Sequence, residues 1–212
     1  MTVSGRAKLT ARGARTRERI VDATAALVFA QGAAGTSLDE VMAGAAVSKS
    51  QLYHYFADKD DLLRAVIERQ TGRILADQRD ALEGIDSMPG LRRWRDHVVA
   101  TVEAGGPAGG CPLGSLANEL ADSNEATRAV LGICFGRWEA QLAAGLTRMR
   151  TAGRLTSDAD PEALAEVLVA ALQGGLLLAK TRRSARPLAR ALDVAIAHIG
   201  TLRPAGEGPR TG

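Results

Sequence analysis

Three signals for the start of a helix follow one another between residues 37 and 61, and they limit this region to short, closely spaced helices. In such a signal a Ser, Thr or Asp side chain accepts the backbone N–H of the third residue along, whose own side chain often reaches back. The pairs are Ser37 with Glu40, Ser48 with Gln51, and Asp58 with Asp61. Their spacing predicts helices that begin at about residues 38, 49 and 59.

The rest of the chain has apolar residues at helical spacing and no strand pattern. Hydrophobic residues make up 46% of the sequence but aromatic residues only 3%, so Ala, Leu and Val must fill the core. This composition favours packed helices over a sandwich or barrel. We therefore expect an all-α fold of about nine helices. Besides those beginning at 38 and 49, the helices are predicted over about 16–31, 59–75, 91–102, 113–122, 125–151, 161–182 and 187–201.

The helix pattern divides the chain into four parts. Residues 1–15 are predicted to be a flexible basic arm, and residues 16–60 a three-helix domain with a helix-turn-helix. Residues 61–202 are predicted to be a larger helical domain, and residues 203–212 a disordered tail. Gly32 is placed to end the first long helix, and Pro89-Gly90 is expected to interrupt the chain before residue 91.

The positive charge is concentrated near the N-terminus. Residues 1–59 carry eight Lys or Arg against five acidic residues, which accounts for the whole net charge of +3. A basic end on an otherwise neutral chain is typical of a polyanion-binding module, although a soluble basic tail would look the same. The two cysteines and the lack of an apolar leader favour the cytoplasm. The most apolar stretch, 164–179, is predicted to be too short and too polar for a bilayer.

The helix predicted to begin at residue 49 has the side chains needed to read DNA. A helix fits the major groove with its N-terminal turn toward the bases. Lys49 could donate to guanine and Gln51 could pair with adenine, while Ser50 lets the backbone come close. The further residues assigned to the DNA surface are Arg15, Thr36, Ser37, Ser48, Tyr53, His54 and Lys59. The alternatives are an ordinary helix pair or a protein-interaction module.

The same region resembles the TetR family of bacterial transcription regulators. The resemblance rests on 36–38 (Thr-Ser-Leu), 47–56 (Val-Ser-Lys-Ser-Gln-Leu-Tyr-His-Tyr-Phe) and 58–63 (Asp-Lys-Asp-Asp-Leu-Leu). It implies a homodimer with an N-terminal DNA-binding domain and a C-terminal ligand-binding domain. Two residues depart from the family pattern, namely Ala46, where glycine is usual, and Met42, where alanine is usual. If the turn is left-handed, alanine costs about 1 kcal/mol there.

The C-terminal half is expected to form the dimer and to bind an effector. Residues 161–182 and 187–201 are rich in Ala, Leu and Gly, including Gly174-Gly175, and could pack with a second copy or form only an internal core. The partners would then be a palindromic double-stranded operator, a small molecule and a second copy, with no membrane. A repressor is favoured over an activator, because occupancy alone blocks polymerase. The candidate ligand residues are Trp94, His97, Cys111, Leu113, Leu116, Glu119, Phe135, Trp138 and Gln173.

Cys111 allows one further hypothesis. A cysteine between a glycine loop and a helix start could react with electrophiles or oxidants, so a thiol-sensing repressor is the alternative function; a small buried residue at a turn is the simpler interpretation. Cys111 and His97 could in principle form a nucleophile and base. No catalytic signature, metal-ligand spacing or phosphate-binding loop accompanies them. We therefore expect no enzymatic activity, cofactor or metal.

Overall fold

The computed structural model describes residues 9–105, 110–122 and 124–204, and in these ranges the chain forms ten helices and no strands. The all-α class is confirmed. The helices are α1 (Ala11–Gly35), α2 (Leu38–Ala45), α3 (Lys49–Tyr55), α4 (Lys59–Asp77), α5 (Arg79–Glu83), α6 (Met88–Gly105), α7 (Pro112–Leu120), α8 (Glu125–Thr151), α9 (Pro161–Arg182) and α10 (Arg186–Thr201).

All three predicted helix starts in the N-terminal region are confirmed. Ser37 and Ser48 each form a complete capping box with the residue three positions along. Asp58 accepts the Asp61 N–H at 2.7 Å and so caps α4. The helix that the sequence did not predict is α5, which is separated from α4 only by a break at Gln78.

The first helix begins earlier than predicted. It starts at Ala11 rather than Thr16, and Thr10 caps it by accepting the Gly13 N–H at 3.2 Å. The prediction of a flexible arm as far as residue 15 is therefore wrong for residues 11–15, because Ala and Arg favour a helix without any apolar stripe. Residues 1–8 lie outside the described residues. So do residues 106–109 of the predicted glycine loop and 205–212 of the predicted tail.

The Pro89-Gly90 pair does not interrupt the chain but lies in the first turn of α6. Ser87 accepts the Gly90 N–H at 3.3 Å, and proline is tolerated at a helix start because its N–H would have no helical partner. Gly90 is needed for close packing, since a Cβ there would overlap the Gly84 carbonyl oxygen. The expectation of a break at this pair is therefore wrong.

The C-terminal core is built around α9, which packs on α8 and α10. Its length and composition would suffice to cross a bilayer, contrary to the expectation for 164–179, but its leucine stripe is buried inside the protein. Gly175 is buried where α9 meets α10, and a Cβ there would lie 2.7 Å from the Leu188 Cα. Gly175 therefore serves the internal core, whereas Gly174 is exposed.

A cluster of charges joins the N-terminal helices to α4. Asp22 of α1 accepts two hydrogen bonds from Arg69, both at 3.0 Å, and one from Arg73 at 2.8 Å. The hydrogen bonds that the Arg69 guanidinium donates to Asp22 raise the pKa of Arg69. These half-exposed ion pairs join α1 to α4 and contribute only modestly to stability.

The turn between α2 and α3 is left-handed at Ala46, which has φ 48° and ψ 54°. A residue with a Cβ is strained in this region, and glycine is not. The departure from glycine that the sequence shows at this position therefore carries a conformational cost. Met42, the other departure, is half-buried and packs against the core.

We expect Ala46→Gly to raise the free energy of unfolding by about 1 kcal/mol, because it removes the left-handed strain. Urea denaturation monitored by circular dichroism measures this change. Ala43→Gly is the matched control, since it makes the same substitution at an exposed helical position of α2. The control should lower stability by about 0.5–1 kcal/mol. Equal effects of the two substitutions would contradict the assignment of strain to Ala46.

Candidate nucleic-acid interface and effector cavity

The N-terminal end of α3 is held by its own side chains. Ser48 Oγ accepts the Gln51 N–H at 3.2 Å, and Gln51 Oε1 accepts the Ser48 N–H at 2.9 Å. This reciprocal pair fixes the direction of the Gln51 amide. Its Nε2 group and the second lone pair of Oε1 remain free of that pair, so Gln51 keeps the donor and acceptor needed for an adenine edge.

Two arginines of α1 support the α2–α3 pair from behind. Arg19 Nε donates to the Ala45 carbonyl at 2.7 Å, at the end of α2 beside the left-handed turn. The Arg17 guanidinium lies 5.1 Å from the ring centroid of Phe56, which is buried at the end of α3. These roles could not be predicted from the sequence, because a run of arginines on one helix is equally consistent with a DNA-facing surface.

Five predicted DNA-reading side chains lie exposed along α3. They belong to Lys49, Ser50, Gln51, Tyr53 and His54. The opposite side of the same helix carries Leu52, which is buried. The helix therefore has one face in the core and one polar, cationic face in solvent, as a groove-reading helix requires.

The remaining predicted DNA residues divide into exposed and buried positions. Arg15 and Ser37 are exposed, and Lys59 is half-buried in the first turn of α4. Thr36 is only 2% exposed, and its hydroxyl donates to the Gly32 carbonyl at 2.8 Å. The assignment of the Thr36 side chain to the DNA surface is therefore wrong in this structure. It closes the connection between α1 and α2 instead.

Ser37 takes part in a network that fixes the start of α2. Glu40 accepts the Ser37 N–H at 2.9 Å and the Ser37 hydroxyl at 2.7 Å, and Gln31 donates to Glu40 at 3.1 Å. The backbone hydrogen bond from Ser37 is the main reason that the pKa of Glu40 is lowered. Glu40 therefore keeps its negative charge at the N-terminal end of α2, where the helix dipole favours it.

Two cavities border α7, and they share part of their lining. The larger, which we call the α7–α9 cavity, has a volume of about 620 Å³. The smaller, the α1–α7 cavity, has a volume of about 220 Å³ and lies between α1, α4 and α7. Ser115 and Lys180 line both.

Three of the predicted ligand residues meet in the α7–α9 cavity. They are Cys111, Phe135 and Gln173. Cys111 Sγ accepts the Gly114 N–H at 3.3 Å, which caps α7, and the Gln173 amide donates to the same sulfur at 3.4 Å. A Cβ on Gly114 would lie 2.5 Å from the Gln173 Oε1, so α7 and α9 approach closely at this point.

Two other predicted ligand residues, Leu116 and Glu119, line the α1–α7 cavity. Leu116 is buried against the core, whereas Glu119 is exposed and its carboxylate faces the backbone of α1. The structure therefore brings Glu119 to the joint between the two predicted domains, away from Cys111 and Gln173.

The two tryptophans belong to the core and line neither cavity. Trp94 and Trp138 donate their indole N–H groups to the same oxygen, Oε1 of Gln78, at 3.0 and 3.2 Å. Gln78 is itself buried at the α4–α5 break, and no pattern in the sequence indicates its role as the shared acceptor. Leu113 is also wholly buried. Trp94, Trp138 and Leu113 therefore belong to the core of this structure, and their assignment to the ligand site stays a prediction.

His97 also lies outside both cavities. Its Nε2 is 3.1 Å from Asp77 on α4, on a partly exposed surface. Cys111 and His97 therefore have different polar partners, and the structure gives no support to a nucleophile–base pair. Among residues 9–105, 110–122 and 124–204, no group of three His, Cys, Asp or Glu side chains is arranged to hold a metal ion.

Comparison with known families gives two matches that together cover both parts of the fold. The family model described as "Bacterial regulatory proteins, tetR family" matches residues 20–66. The model described as "Tetracyclin repressor-like, C-terminal domain" matches residues 87–195. The first match contains the capped α2–α3 pair, and the second contains α7 and most of the α7–α9 cavity.

Individual proteins are similar over most of the chain. An "uncharacterized HTH-type transcriptional regulator in lacX 3'region" of Lactococcus lactis is 30% identical, with 84% of this chain and 90% of that protein covered. The HTH-type transcriptional repressor DhaR of a Mycobacterium species is 26% identical, with 84% and 89% covered. The crystal structure of a TetR transcriptional regulator from Chloroflexus aurantiacus superposes with a TM-score of 0.78 at 25% identity, with 92% and 98% covered.

Proposed function

This chain belongs to the TetR family of DNA-binding transcription regulators, and we propose that it is a homodimeric repressor that a small molecule releases from a palindromic operator. The observation that carries the proposal is the α2–α3 pair. Its recognition helix, α3, is capped at the N-terminus, has Leu52 buried in the core and exposes five polar side chains.

The proposed DNA contacts follow from the direction of α3. Lys49 and Gln51 lie in its first turn and read base edges in the major groove, while Tyr53 and His54 reach phosphate or a base one turn later. Lys59 at the start of α4 holds a phosphate, as do Arg15 and Ser37. The main-chain N–H groups at the starts of the capped helices add to the phosphate contacts.

The proposed dimer forms through α9 and α10. Both helices carry large apolar side chains that are exposed in a single copy, namely Val167, Leu177, Leu178 and Val194. Exposed Gly174 lies on the same helix as the first three and lets a partner helix come close. Two copies of α9 and α10 form a four-helix bundle about the two-fold axis, which sets the spacing of the two α3 helices.

The proposed effector site is the α7–α9 cavity. Its volume of about 620 Å³ lies within the range of sites that hold small molecules. Its lining combines the Gln173 amide, the Cys111 sulfur and the Phe135 ring with Lys180. An effector that fits this cavity better in the DNA-free arrangement shifts the protein toward that arrangement. The protein acts in the cytoplasm, where its operator lies.

We expect Lys49→Ala to weaken operator binding by about 1–3 kcal/mol, because it removes a base contact. The loss should be larger for the selected operator than for an unrelated duplex. Fluorescence anisotropy at several salt concentrations, with a duplex that the unaltered protein selects from a random library, measures both. Arg137→Ala, at an exposed position of α8, is the control and should leave affinity unchanged. Equal loss on all duplexes would instead identify Lys49 as a phosphate contact.

We expect Val194→Asp to give a folded monomer that no longer binds the operator tightly. Val194 is 72% exposed in one copy, so the substitution leaves the internal core intact and places a charge in the proposed interface. Analytical ultracentrifugation measures the change. Ile133→Asp is the matched control, because Ile133 is 64% exposed but lies on α8. A dimer that survives Val194→Asp and is lost with Ile133→Asp would place the interface elsewhere.

A thiol-sensing repressor is the second candidate function. It is favoured only by the position of Cys111, whose sulfur lines the α7–α9 cavity and accepts two N–H groups. We expect a Cys111→Ser variant to lose its response to N-ethylmaleimide or hydrogen peroxide, measured as release of the operator, if this function is correct. Cys134→Ser controls for the other buried thiol. If Cys111→Ser responds as the unaltered protein does, release by a non-covalently bound effector is the function that remains.

A further inference from the structure

The first helix is broken near its C-terminal end, and the break leaves backbone N–H groups without a helical acceptor. Gly32 has φ 79° and ψ 165°, so it is not helical, and the residues after it begin a new turn. The first N–H groups of a new turn have no helical acceptor. At this break the acceptor comes from another domain, because Glu119 Oε2 accepts the Ala33 N–H at 2.6 Å and the Ala34 N–H at 3.4 Å.

The contact requires glycine at position 32 and a carboxylate at position 119. A Cβ on Gly32 would lie 3.0 Å from one Glu119 carboxylate oxygen and 3.3 Å from the other, and the positive φ also disfavours any other residue. Ala33 is almost fully buried, so its N–H depends on this acceptor more than an exposed donor would. Glu119 therefore stabilises the conformation of the break from a position 86 residues away.

The break lies directly before the DNA-reading helices. Thr36 donates to the Gly32 carbonyl, and Ser37 begins α2 at the next residue. A change in the conformation at Gly32 therefore changes the position of α2 and α3 relative to the rest of the protein. Only residues 33–36 lie between the break and Ser37, and the Thr36 hydrogen bond ties the end of this segment to Gly32, so the segment transmits such a change to the start of α2.

The other side of α7 lies against the proposed effector. Cys111 and Gly114 line the α7–α9 cavity and contact Gln173 of α9, while Ser115 lines both cavities. Glu119 lies about 7 Å further along α7 than Gly114, given the rise of an α-helix. One short helix thus contacts both the α7–α9 cavity and the break in α1.

We propose that Glu119 is the positioning residue through which occupancy of the α7–α9 cavity changes the orientation of the DNA-reading helices. An occupant that pushes on α7 near Gly114 moves Glu119 away from the Ala33 and Ala34 N–H groups, and the break at Gly32 relaxes. The proposal rests on the proposed function, because it supposes an operator and an effector. In this proposal the Glu119 carboxylate couples effector binding to operator binding.

Hydrogen exchange tests the contact without any DNA or effector. In the full-length dimer, Glu119→Ala removes the carboxylate that accepts the Ala33 and Ala34 N–H groups. Opening of this segment then breaks no charge-assisted hydrogen bond, so exchange of the two amides should be about tenfold faster. Glu119→Gln keeps an oxygen acceptor and should restore most of the protection. Glu125→Ala removes the same charge at an exposed position of α8 and should leave both amides unchanged. Unchanged exchange in Glu119→Ala overturns the proposal.

A double-mutant cycle tests the coupling. Gln173→Trp enlarges the side chain that α7 packs against at Gly114, and so imitates an occupant without a ligand. Gln173→Trp and Glu119→Ala should each weaken binding to the selected operator by about fivefold or more, the lower end of allosteric effects. Together they should weaken it no further than either alone. Gln173→Trp with Glu125→Ala should instead give the effect of Gln173→Trp alone, and ultracentrifugation confirms that each variant is a dimer.

The outcomes separate this proposal from the proposed function. Independent, multiplying effects of Gln173→Trp and Glu119→Ala would show that the cavity acts by another route, and an inert Gln173→Trp would show that displacing α7 does not reach the DNA-reading helices. Either result overturns the proposal while leaving a DNA-binding repressor intact. If the unaltered protein selects no duplex, the proposed function fails, and the exchange of the Ala33 and Ala34 amides still decides whether Glu119 holds the break.

Discussion

The first helix makes polar contacts with both helices of the DNA-reading pair, with α4 and with α7. Arg19 donates to the end of α2, Arg17 lies over Phe56 at the end of α3, and Asp22 accepts from α4. At its broken end α1 receives the Glu119 carboxylate of α7. The position of the recognition helix relative to α4 and α7 therefore depends on the contacts of α1, which packs against α2, α4 and α7.

These contacts differ in strength from the core beneath them. The hydrogen-bonded ion pairs of Asp22 are half-exposed, and such pairs contribute about 0–1 kcal/mol each. The buried side chains of Ile20, Leu52 and Phe56 hold the three N-terminal helices together far more firmly. The same apolar core continues into α4 and α7, so the N-terminal helices are held to their neighbours mainly by packing, and the polar contacts add little to it. A coupling of about 1–3 kcal/mol from a ligand therefore acts through small shifts of packed helices.

The sequence predicted the features whose cause is local. The caps at Ser37, Ser48 and Asp58 were readable because each needs only a residue and its neighbour three positions along. The strain at Ala46 was readable because a family pattern with glycine at that turn implies a left-handed residue. The predicted break at Pro89 failed because Ser87 supplies a cap that turns the proline into a first-turn residue. The local sequence at Pro89-Gly90 is compatible with a break or with a helix start, and the close packing of Gly90 against Gly84 favours the helix start.

The sequence alone determined that this chain is all-α, that three capped helices lie together near its N-terminus, and that the second of them carries the exposed polar residues of a DNA-reading helix. Helical periodicity and capping depend on residues three or four positions apart, so both can be recognised in the sequence alone. Only the tertiary structure decided which polar side chains already have hydrogen-bond or cation–π partners inside the protein. Thr36, Arg17 and the indoles of Trp94 and Trp138 look free in the sequence, yet each is committed to a partner. Glu119 meets its partners 85 and 86 residues away. Such contacts depend on how whole helices pack, and that packing minimises the free energy of the entire core rather than of any one segment.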